Sequence, residues 1–549
     1  MLKIINGAVY DPERGINGEI GTVCVGSDGK ICEMPPDVPC EVVDAAGCAV
    51  MAGGVDIHSH IAGTKVNSAR SMCPEDHYDH FKPHTATTRA GTGFTVPTSF
   101  YTGYEYAGLG YTTVFEAAVP PLEARHAHEE LLDVPIIDTG AYTLMGNNYM
   151  VMQILAEEDP AARRERLRDL VSWLLDSTRG YAVKVVNPGG VESWKWAQGI
   201  QNLDTPVPPF GVTPRQIMTG LAETIRDLGL PHGMHLHCNH LGEAGNYITT
   251  LETMRALDGL PFHLTHLQFH AYGQSKKGSL KSAARELADY INEHPNVTFD
   301  VGQMVFGPAT TMTADAPMQY RLHVVTGHKW INNDVEMESG AGVVPLQYKP
   351  TSLVNAIQWC IGLELLLLVK NAWQVILTTD HPNAGPFSAY PQIIRLLMDR
   401  DYRAAQMEAL NPRVGKYTVL AQLQREYTLE EIAVITRSAA AKTLGLAQRG
   451  NLRAGSVGDI AVYRIQEDKE RMFREPAYVF KDGSPVVRDG KAVQSPQGRR
   501  LVVRLDGDAA LPDDLAQEFH NYYSITLANF PVQDEYIPRP EVISCKRTA

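Results

Sequence analysis

Short segments with alternating apolar and polar positions dominate both ends of the chain. Near the start they are KIINGAVYD (3–11) and TVCVGSDGKICEM (22–34), and the Asp-Gly pair in the second is a β-hairpin signal. The same alternating pattern occurs near the C-terminus, in GDIAVYRI (458–465) and AYVFKDGSPVVRDGKAV (477–493). A period of two is typical of half-buried strands, so we predict short β-strands at both ends.

Between these ends the pattern changes to short apolar runs that alternate with longer helical patterns. Such alternation indicates repeated βα units. Eight runs can be identified, at residues 50–60, 111–119, 135–142, 181–187, 233–239, 261–268, 297–303 and 374–382. Eight strands with intervening helices predict an α/β protein with a (β/α)8 TIM barrel. Nearly every run ends in a polar residue, at the end of the strand where such barrels carry their chemistry.

These two hydrophobic patterns divide the chain into three segments. We predict an N-terminal β segment at 1–50, the barrel at 51–445, and a C-terminal β segment with a tail at 446–549. Two intervals within the barrel, 61–110 and 304–373, are too long for simple connections. Loops of this length at the active face usually cover or shape a pocket.

The composition narrows the functional class. The chain has 549 residues, 44% hydrophobic and 20% charged, which is typical of soluble globular proteins. Its net charge of −14 argues against nucleic-acid or anionic-membrane partners. The N-terminus lacks the apolar segment of a signal peptide, and the longest apolar run, 360–369, is too short for a bilayer. We therefore expect a cytoplasmic protein whose eight cysteines are reduced thiols.

The first barrel run ends in a His-x-His pair, His58 and His60. Residues i and i+2 of a strand face the same side, so both imidazoles can point into the barrel mouth and share one metal ion. The alternative for this pair alone is a hydrogen-bonded histidine in a polar core.

Lys184 lies between apolar neighbours in the fourth run. A buried lysine is costly unless it is paired or neutral. It could be a solvated lysine on a surface strand or a buried partner of a carboxylate. It could also be an amine of low pKa that reacts with carbon dioxide to give N6-carboxylysine, which can bridge two metals.

The fifth and sixth runs each offer one well-placed ligand. His237 lies near the end of the fifth run, whereas His235 points the same way but deeper, so we expect a core or supporting role for it. In the sixth run we select His266, because His263 has the opposite parity and His270 lies beyond the strand. One ligand per strand is the economical hypothesis.

Asp380 lies near the end of the eighth run, after its apolar strand and before a proline turn. A carboxylate in this position can be a turn former, a helix cap or a functional group. The functional interpretation gains weight because Asp380 would face the same mouth as the other candidates.

The ordered set of His-x-His, Lys, His, His and Asp resembles the two-metal, carboxylated-lysine branch of the amidohydrolase superfamily. GGVDIHSH (53–60) is similar to the first-strand motif of that branch, and GNLRAGSVGDIA (450–461) resembles one of its β segments. The resemblance implies that the two chain ends together form a composite β-sandwich. It also implies a metal-dependent hydrolase of carbon–nitrogen bonds other than peptide bonds.

A closer resemblance covers almost the whole chain. HCNHLG (237–242), LTHLQFHAYG (264–273) and TDHPNAGPF (379–387) are similar to the amidohydrolase-type subunits of formylmethanofuran dehydrogenases and of bacterial formyltransferase/hydrolase complexes. This implies a role in one-carbon metabolism, with methylofuran or methanofuran as carrier and other complex subunits, including a formyltransferase, as partners. The frequent arginine and alanine favour the bacterial, formate-releasing type over the archaeal type, which condenses formate with methanofuran.

The resemblance also implies a ligand set and a mechanism. Two divalent ions, expected to be zinc, would be held by six residues: His58, His60, Lys184 as its carboxylate, His237, His266 and Asp380. Asp380 would in addition carry the proton between water and the departing amine. The alternatives are a hydantoinase-like or dihydroorotase-like cyclic-amide hydrolase, a scaffold component without catalytic activity, and a mononuclear deaminase that would not need Lys184.

Overall fold

The computed structural model describes residues 1–33, 38–276, 278–333, 341–505 and 511–545. Eight parallel strands form its central barrel, one in each predicted run. In barrel order they are Gly54–Ser59, Tyr111–Val119, Asp138–Leu144, Ala182–Val186, Met234–His237, Phe262–Leu264, Thr298–Asp300 and Val375–Ile376. The predicted (β/α)8 barrel is confirmed.

The barrel closes between its first and last strands. Ser59 forms a parallel bridge with His381, and the amide of His60 donates to the carbonyl of His381 at 2.7 Å. Neighbouring strands align in register, with Lys184 beside His235 and Val186 beside His237. Because parallel strands share one direction, their carboxyl ends meet on a single face of the barrel.

Helices surround the barrel and fill the connections between strands. A typical case is Pro214–Leu228, which begins at a capping box between Thr213 and Gln216 and ends at Gly229 in the left-handed conformation (φ 62°). The helices are Thr64–Met72, Pro74–Asp79, Ser99–Gly108, Ala124–Leu132, Tyr149–Leu155, Pro160–Ser177, Gly190–Lys195, Pro214–Leu228, Tyr247–Ala256, Ala284–Glu293, Ala316–Thr326, Leu353–Leu368, Tyr390–Met398, Arg400–Glu408, Leu429–Ala433, Ala439–Thr443, Lys469–Arg474 and Asp513–Tyr522. Within the described ranges, none of them combines the length and apolarity required to span a bilayer.

The two chain ends meet in one eight-stranded sheet beside the barrel. Cys48–Ala52 from the N-terminal part pairs antiparallel with Ile460–Arg464 from the C-terminal part. The other strands are Leu2–Asp11, Ile16–Val25, Glu41–Asp44, Tyr478–Lys481, Ser484–Arg488 and Lys491–Ala492. The sheet covers its own apolar cluster, which includes Ile4, Val50 and Phe480.

The strand pairing differs from the predicted segment boundaries in two places. Residues 51–52 belong to the sheet, because Ala52 pairs with Ile460. Arg500–Arg504 and Pro540–Ser544 lie next to the third barrel strand instead, where Arg500 pairs with Thr139. The division into three segments otherwise stays a prediction, and its residues 34–37, 277, 334–340, 506–510 and 546–549 lie outside the described part of the chain.

Both long intervals have secondary structure of their own. The interval 61–110 contains three helices and the small hairpin Phe81–Lys82 with Gly91–Thr92. The interval 304–373 contains a three-stranded sheet of Gly307–Thr313, Ala341–Tyr348 and Ile331–Asn333, together with the helices Ala316–Thr326 and Leu353–Leu368.

Candidate functional site

All six predicted ligands lie at the carboxyl-terminal ends of barrel strands and are at most 4% exposed: His58, His60, Lys184, His237, His266 and Asp380. His58 and Lys184 lie within strands, His237 ends one, and the other three lie in the turns that follow. Whether they bind metal stays a prediction.

Asp380, which follows the last barrel strand, contacts both histidines at the end of the first strand. Its Oδ1 lies 2.9 Å from His58 Nε2 and 3.3 Å from His60 Nε2. The same oxygen accepts a hydrogen bond from Asn383 Nδ2 at 2.9 Å. One carboxylate oxygen thus faces both imidazoles of the His-x-His pair.

His237 and His266 form a second group next to the first. Their ring centroids are 4.7 Å apart, and those of His266 and His58 are 5.3 Å apart. Lys184 Nζ lies 3.5 Å from Thr265 Oγ1, which in turn is 2.9 Å from His266 Nε2. Ligand atoms of His58, His266 and Asp380 lie within 4.8 Å of one another, a spacing at which one ion could contact all three.

Several buried ring nitrogens in this region have no hydrogen-bond partner among the described residues. They are His58 Nε2, His60 Nδ1, His266 Nδ1 and both nitrogens of His270. A buried polar atom without a partner is costly, so such a cluster needs an explanation. Imidazole nitrogens and a carboxylate are ligands that suit zinc and similar divalent ions, and the residues present therefore fit a metal centre.

Burial and neighbouring charges together leave the pKa values of both Lys184 and Asp380 below their usual ranges. Burial lowers the pKa of Lys184 to about 7, against the opposing effects of Asp300 and Asp380. Burial raises the pKa of Asp380, but His266 and His58 hold it well below its usual range. Near neutral pH the site therefore combines an ionised carboxylate with a lysine that is neutral in a large fraction of molecules.

The backbone turns sharply at three of the strand ends. Asn187, His266 and Asp380 have φ values of 42°, 36° and 47°. Such left-handed conformations cost about 1–2 kcal/mol for residues with a Cβ. They let the chain leave the strand at once while the side chain stays in the barrel mouth. Gly302 packs against one of these turns, since a Cβ there would lie 2.4 Å from His266 Cβ.

Three carboxylates next to the predicted ligands were not identified from the sequence: Asp300, Asp315 and Glu116. Asp300, in the seventh strand, accepts from His266 N at 2.9 Å and Thr378 Oγ1 at 2.8 Å, and its Oδ2 lies 3.4 Å from His58 Nδ1. Asp315, in the long insertion, lies 3.2 Å from His237 Nε2. A lone charge in an apolar strand was the available signal for Asp300, whereas no local pattern distinguishes Asp315.

A buried ion pair supports the other side of the site. Lys65, in the first insertion, contacts Glu116 of the second barrel strand at 2.8 Å. Glu116 also accepts from the amides of Ile61 and Ala62 and lies 3.4 Å from His60 Nδ1. The pair fixes the loop that carries His60.

A cavity of about 500 Å³ opens onto the site. His237, His266 and Asp380 line its inner end, and the helix Ala316–Thr326 lines one side through Met318 and Leu322. Other lining residues are Leu241, Phe269, Thr311, Thr313, Leu346, Tyr348 and Asn383. A small organic substrate could therefore reach the candidate ligands.

Comparison with known proteins agrees with this geometry. Residues 41–494 match the amidohydrolase family. The chain is 46% identical to protein FwdA of Methanocaldococcus jannaschii, over 99% of both chains. It is 38% identical to FhcA of the formyltransferase/hydrolase complex of Methylorubrum extorquens, over 98% of this chain and 97% of that protein.

A solved structure extends the likeness to three dimensions. The crystal structure of the formyltransferase/hydrolase complex FhcABCD from Methylorubrum extorquens with methylofuran contains a chain that is 37% identical, with a TM-score of 0.92 over 99% of this chain and 100% of that one. A D-phenylhydantoinase of Escherichia coli is 41% identical, but over only 11% of this chain and 10% of its own. The chain belongs to the amidohydrolase family and is a metal-dependent amidohydrolase.

Proposed function

We propose that the chain cleaves the N-formyl amide of a formylated furan amine, of the formyl-methylofuran type, to formate and the free amine. The observation that carries the proposal is that His58 and His60 converge on Asp380, which lines the inner end of an organic-sized cavity together with His237 and His266. The relative crystallised with methylofuran supports the substrate class, because its likeness extends over the whole chain.

The site would hold two divalent ions, for which zinc suits the ligands best. His58, His60 and Asp380 would hold one, and His237 and His266 the other. When bound, the ions would supply Lewis acidity at the formyl carbonyl and lower the pKa of water.

Lys184 would bridge the two ions as its carbamate. Only a neutral amine attacks carbon dioxide, and burial lowers the pKa of Lys184 to about 7. The neutral amine nitrogen forms a bond to the carbon of carbon dioxide and releases a proton, which gives a carbamate anion. Bound divalent cations would compensate this buried negative charge, and the carbamate would supply two oxygen ligands.

Asp380 would carry the proton. Its Oδ1 faces His58 and His60 and accepts a hydrogen bond from Asn383, and Oδ2 would accept a proton from water and deliver it to the departing amine nitrogen. Its low pKa keeps Asp380 ionised before the reaction, as a proton acceptor must be.

The cavity would bind the carrier through its furan end. Leu241, Phe269 and Met318 provide apolar surface for a flat ring, and Tyr348 and Asn383 lie beside Asp380 as polar groups. Other polar lining residues, such as Arg321 and Gln358, could bind the polar part of a small amine carrier.

We propose that the chain works within a complex that includes a formyltransferase, as the name and crystal structure of the bacterial relative indicate for that protein. A second candidate function is the reverse reaction, condensation of formate with the furan amine. The higher identity to FwdA, 46% against 38%, favours this alternative.

The test is formate release from formyl-methylofuran by the purified complex, with hydantoin and dihydroorotate as comparison substrates. Asp380→Asn should reduce formate release by about 10²- to 10⁴-fold, as expected for loss of a general acid–base group. Unchanged release by this variant would contradict the proton role. Turnover of hydantoin but not of the formyl amide would contradict the substrate.

A further inference from the structure

Three buried imidazoles form a line from the candidate metal centre toward the opposite end of the barrel. His58 Nδ1 lies 2.9 Å from His235 Nε2, and His235 Nδ1 lies 3.0 Å from His232 Nε2. His232 Nδ1 ends the line, 2.8 Å from the carbonyl oxygen of Thr443. The three side chains are at most 1% exposed, so bulk water does not compete for these bonds.

The Thr443 carbonyl determines which nitrogen of each ring carries the proton. Thr443 is the last residue of the helix Ala439–Thr443, where carbonyls lack an intrahelical donor. A carbonyl can only accept, so His232 must donate from Nδ1. Burial lowers the pKa of His232 to about 3, and the neutral ring therefore has an acceptor at Nε2. His235 must then donate from Nδ1 and accept at Nε2, and His58 must donate from Nδ1.

We infer that the Thr443 carbonyl, acting through His232 and His235, holds His58 in the tautomer whose Nε2 lone pair is free for a metal ion. The inference rests on the metal site of the proposed function. His58 Nε2 faces Asp380 Oδ1 at 2.9 Å without a hydrogen bond among the described residues. A metal ion that binds both atoms would satisfy this nitrogen and this oxygen together.

Asp300 also favours a proton on His58 Nδ1. Its Oδ2 lies 3.4 Å from His58 Nδ1, and an ionised carboxylate only accepts. Asp300 and His235 thus agree in placing the proton on Nδ1. His232 and His235 are positioning residues, since they act on the metal through His58.

Two variants of His232 test this arrangement. His232→Phe removes the acceptor for His235 Nδ1, so His235 can adopt the other tautomer and donate toward His58. The affinity for zinc, measured by chelator competition, should fall by about 10- to 100-fold. His232→Gln has an oxygen that can accept from His235 and an amide that can donate to Thr443, and it should restore most of this affinity.

His128 provides the matched control. It is a buried histidine that bonds the Thr178 carbonyl at 2.9 Å and lies outside the line. His128→Phe should lower the unfolding temperature without changing zinc affinity. Equal zinc affinity in the wild type and His232→Phe, or equal losses in His232→Phe and His232→Gln, would overturn the inference.

Neutron crystallography of the deuterated wild type reads the proton positions directly. We expect deuterium on Nδ1 of His58, His235 and His232. Deuterium on Nε2 of His235 or His232 in place of Nδ1 would overturn the inference. Absence of bound zinc in the wild type would instead contradict the proposed function, and the deuterium positions would still decide the tautomers.

Discussion

Asp315 Oδ2 lies 3.2 Å from His237 Nε2. Asp315 is in the insertion that follows the seventh barrel strand, so a segment outside the barrel contributes a carboxylate to the candidate metal centre. Its other oxygen, Oδ1, accepts from Asn187 Nδ2 at 3.0 Å and from the amide of Met318 at 3.2 Å. Asp315 therefore links the site to the start of the helix Ala316–Thr326.

Asp315→Asn should weaken metal binding without unfolding the helix. Asparagine is also a good N-cap, so the bond from Met318 can persist while the charge next to His237 is lost. We expect affinity for the ion at His237 to fall by about 10- to 100-fold. The measurement is metal content per chain after dialysis against a graded chelator. Unchanged content would refute a role for Asp315 at the metal.

Lys184→Met should abolish activity without lowering the stability of the fold. Methionine fills a similar volume without a charge to desolvate, so the unfolding temperature should stay constant or rise. Formate release should fall to background, since methionine cannot form the carbamate. Full activity in this variant would exclude a role for carboxylated Lys184 and favour the mononuclear, deaminase-like alternative.

Gly302→Ala should displace His266. Gly302 has a φ of 61°, and a Cβ there would lie 2.4 Å from His266 Cβ and 2.8 Å from its Cα. We expect a loss of several kcal/mol in unfolding free energy, measured in urea, together with a loss of bound metal. Gly15→Ala is the matched control, because Gly15 has a φ of 68° with no atom within 4 Å of the added Cβ. It should cost only about 1 kcal/mol. Equal costs would show that the contact with His266 is unimportant.

Glu364 should make stability depend on pH. It is fully buried in the helix Leu353–Leu368, and burial raises its pKa from 4.5 to about 7. Between pH 4.5 and 7 the folded chain therefore keeps a proton on Glu364 that the unfolded chain has already lost. The contribution of Glu364 to stability falls as the pH rises through that window.

Glu364→Gln should remove this dependence, which amounts to about 3 kcal/mol. The measurement is the urea unfolding midpoint at pH 5 and pH 8 in the wild type and the variant. Glu286→Gln, at an exposed position of the helix Ala284–Glu293, should keep the wild-type difference. An identical pH difference in Glu364→Gln and the wild type would disprove the assignment.

Local pattern was sufficient to locate the barrel strands. Buried parallel strands are apolar on both faces, so each appears as a short run with a polar residue at its end. The predicted lengths were less accurate. The run 374–382 contains only Val375–Ile376 as a strand, because the chain beyond it leaves the ladder and turns at Asp380 with positive φ.

Contacts between distant segments could not be predicted in this way. Asp315 and His237 are 78 residues apart, and periodicity contains no information about such pairs. The pairing of Arg500–Arg504 with the barrel is of the same kind, since an edge strand resembles any other short strand. His235 was expected to have a supporting role from its depth in the strand, but its link to Thr443 required coordinates.

The sheet built from both chain ends has a consequence for biosynthesis. Cys48–Ala52 emerges from the ribosome roughly 400 residues before its partner Ile460–Arg464, an interval of about 20–80 s at translation rates of about 5–20 residues per second. During that time one side of a nascent apolar strand is open to other chains, which is a known route to aggregation. Folding in the cell should therefore depend on factors that shield the N-terminal strands until synthesis ends.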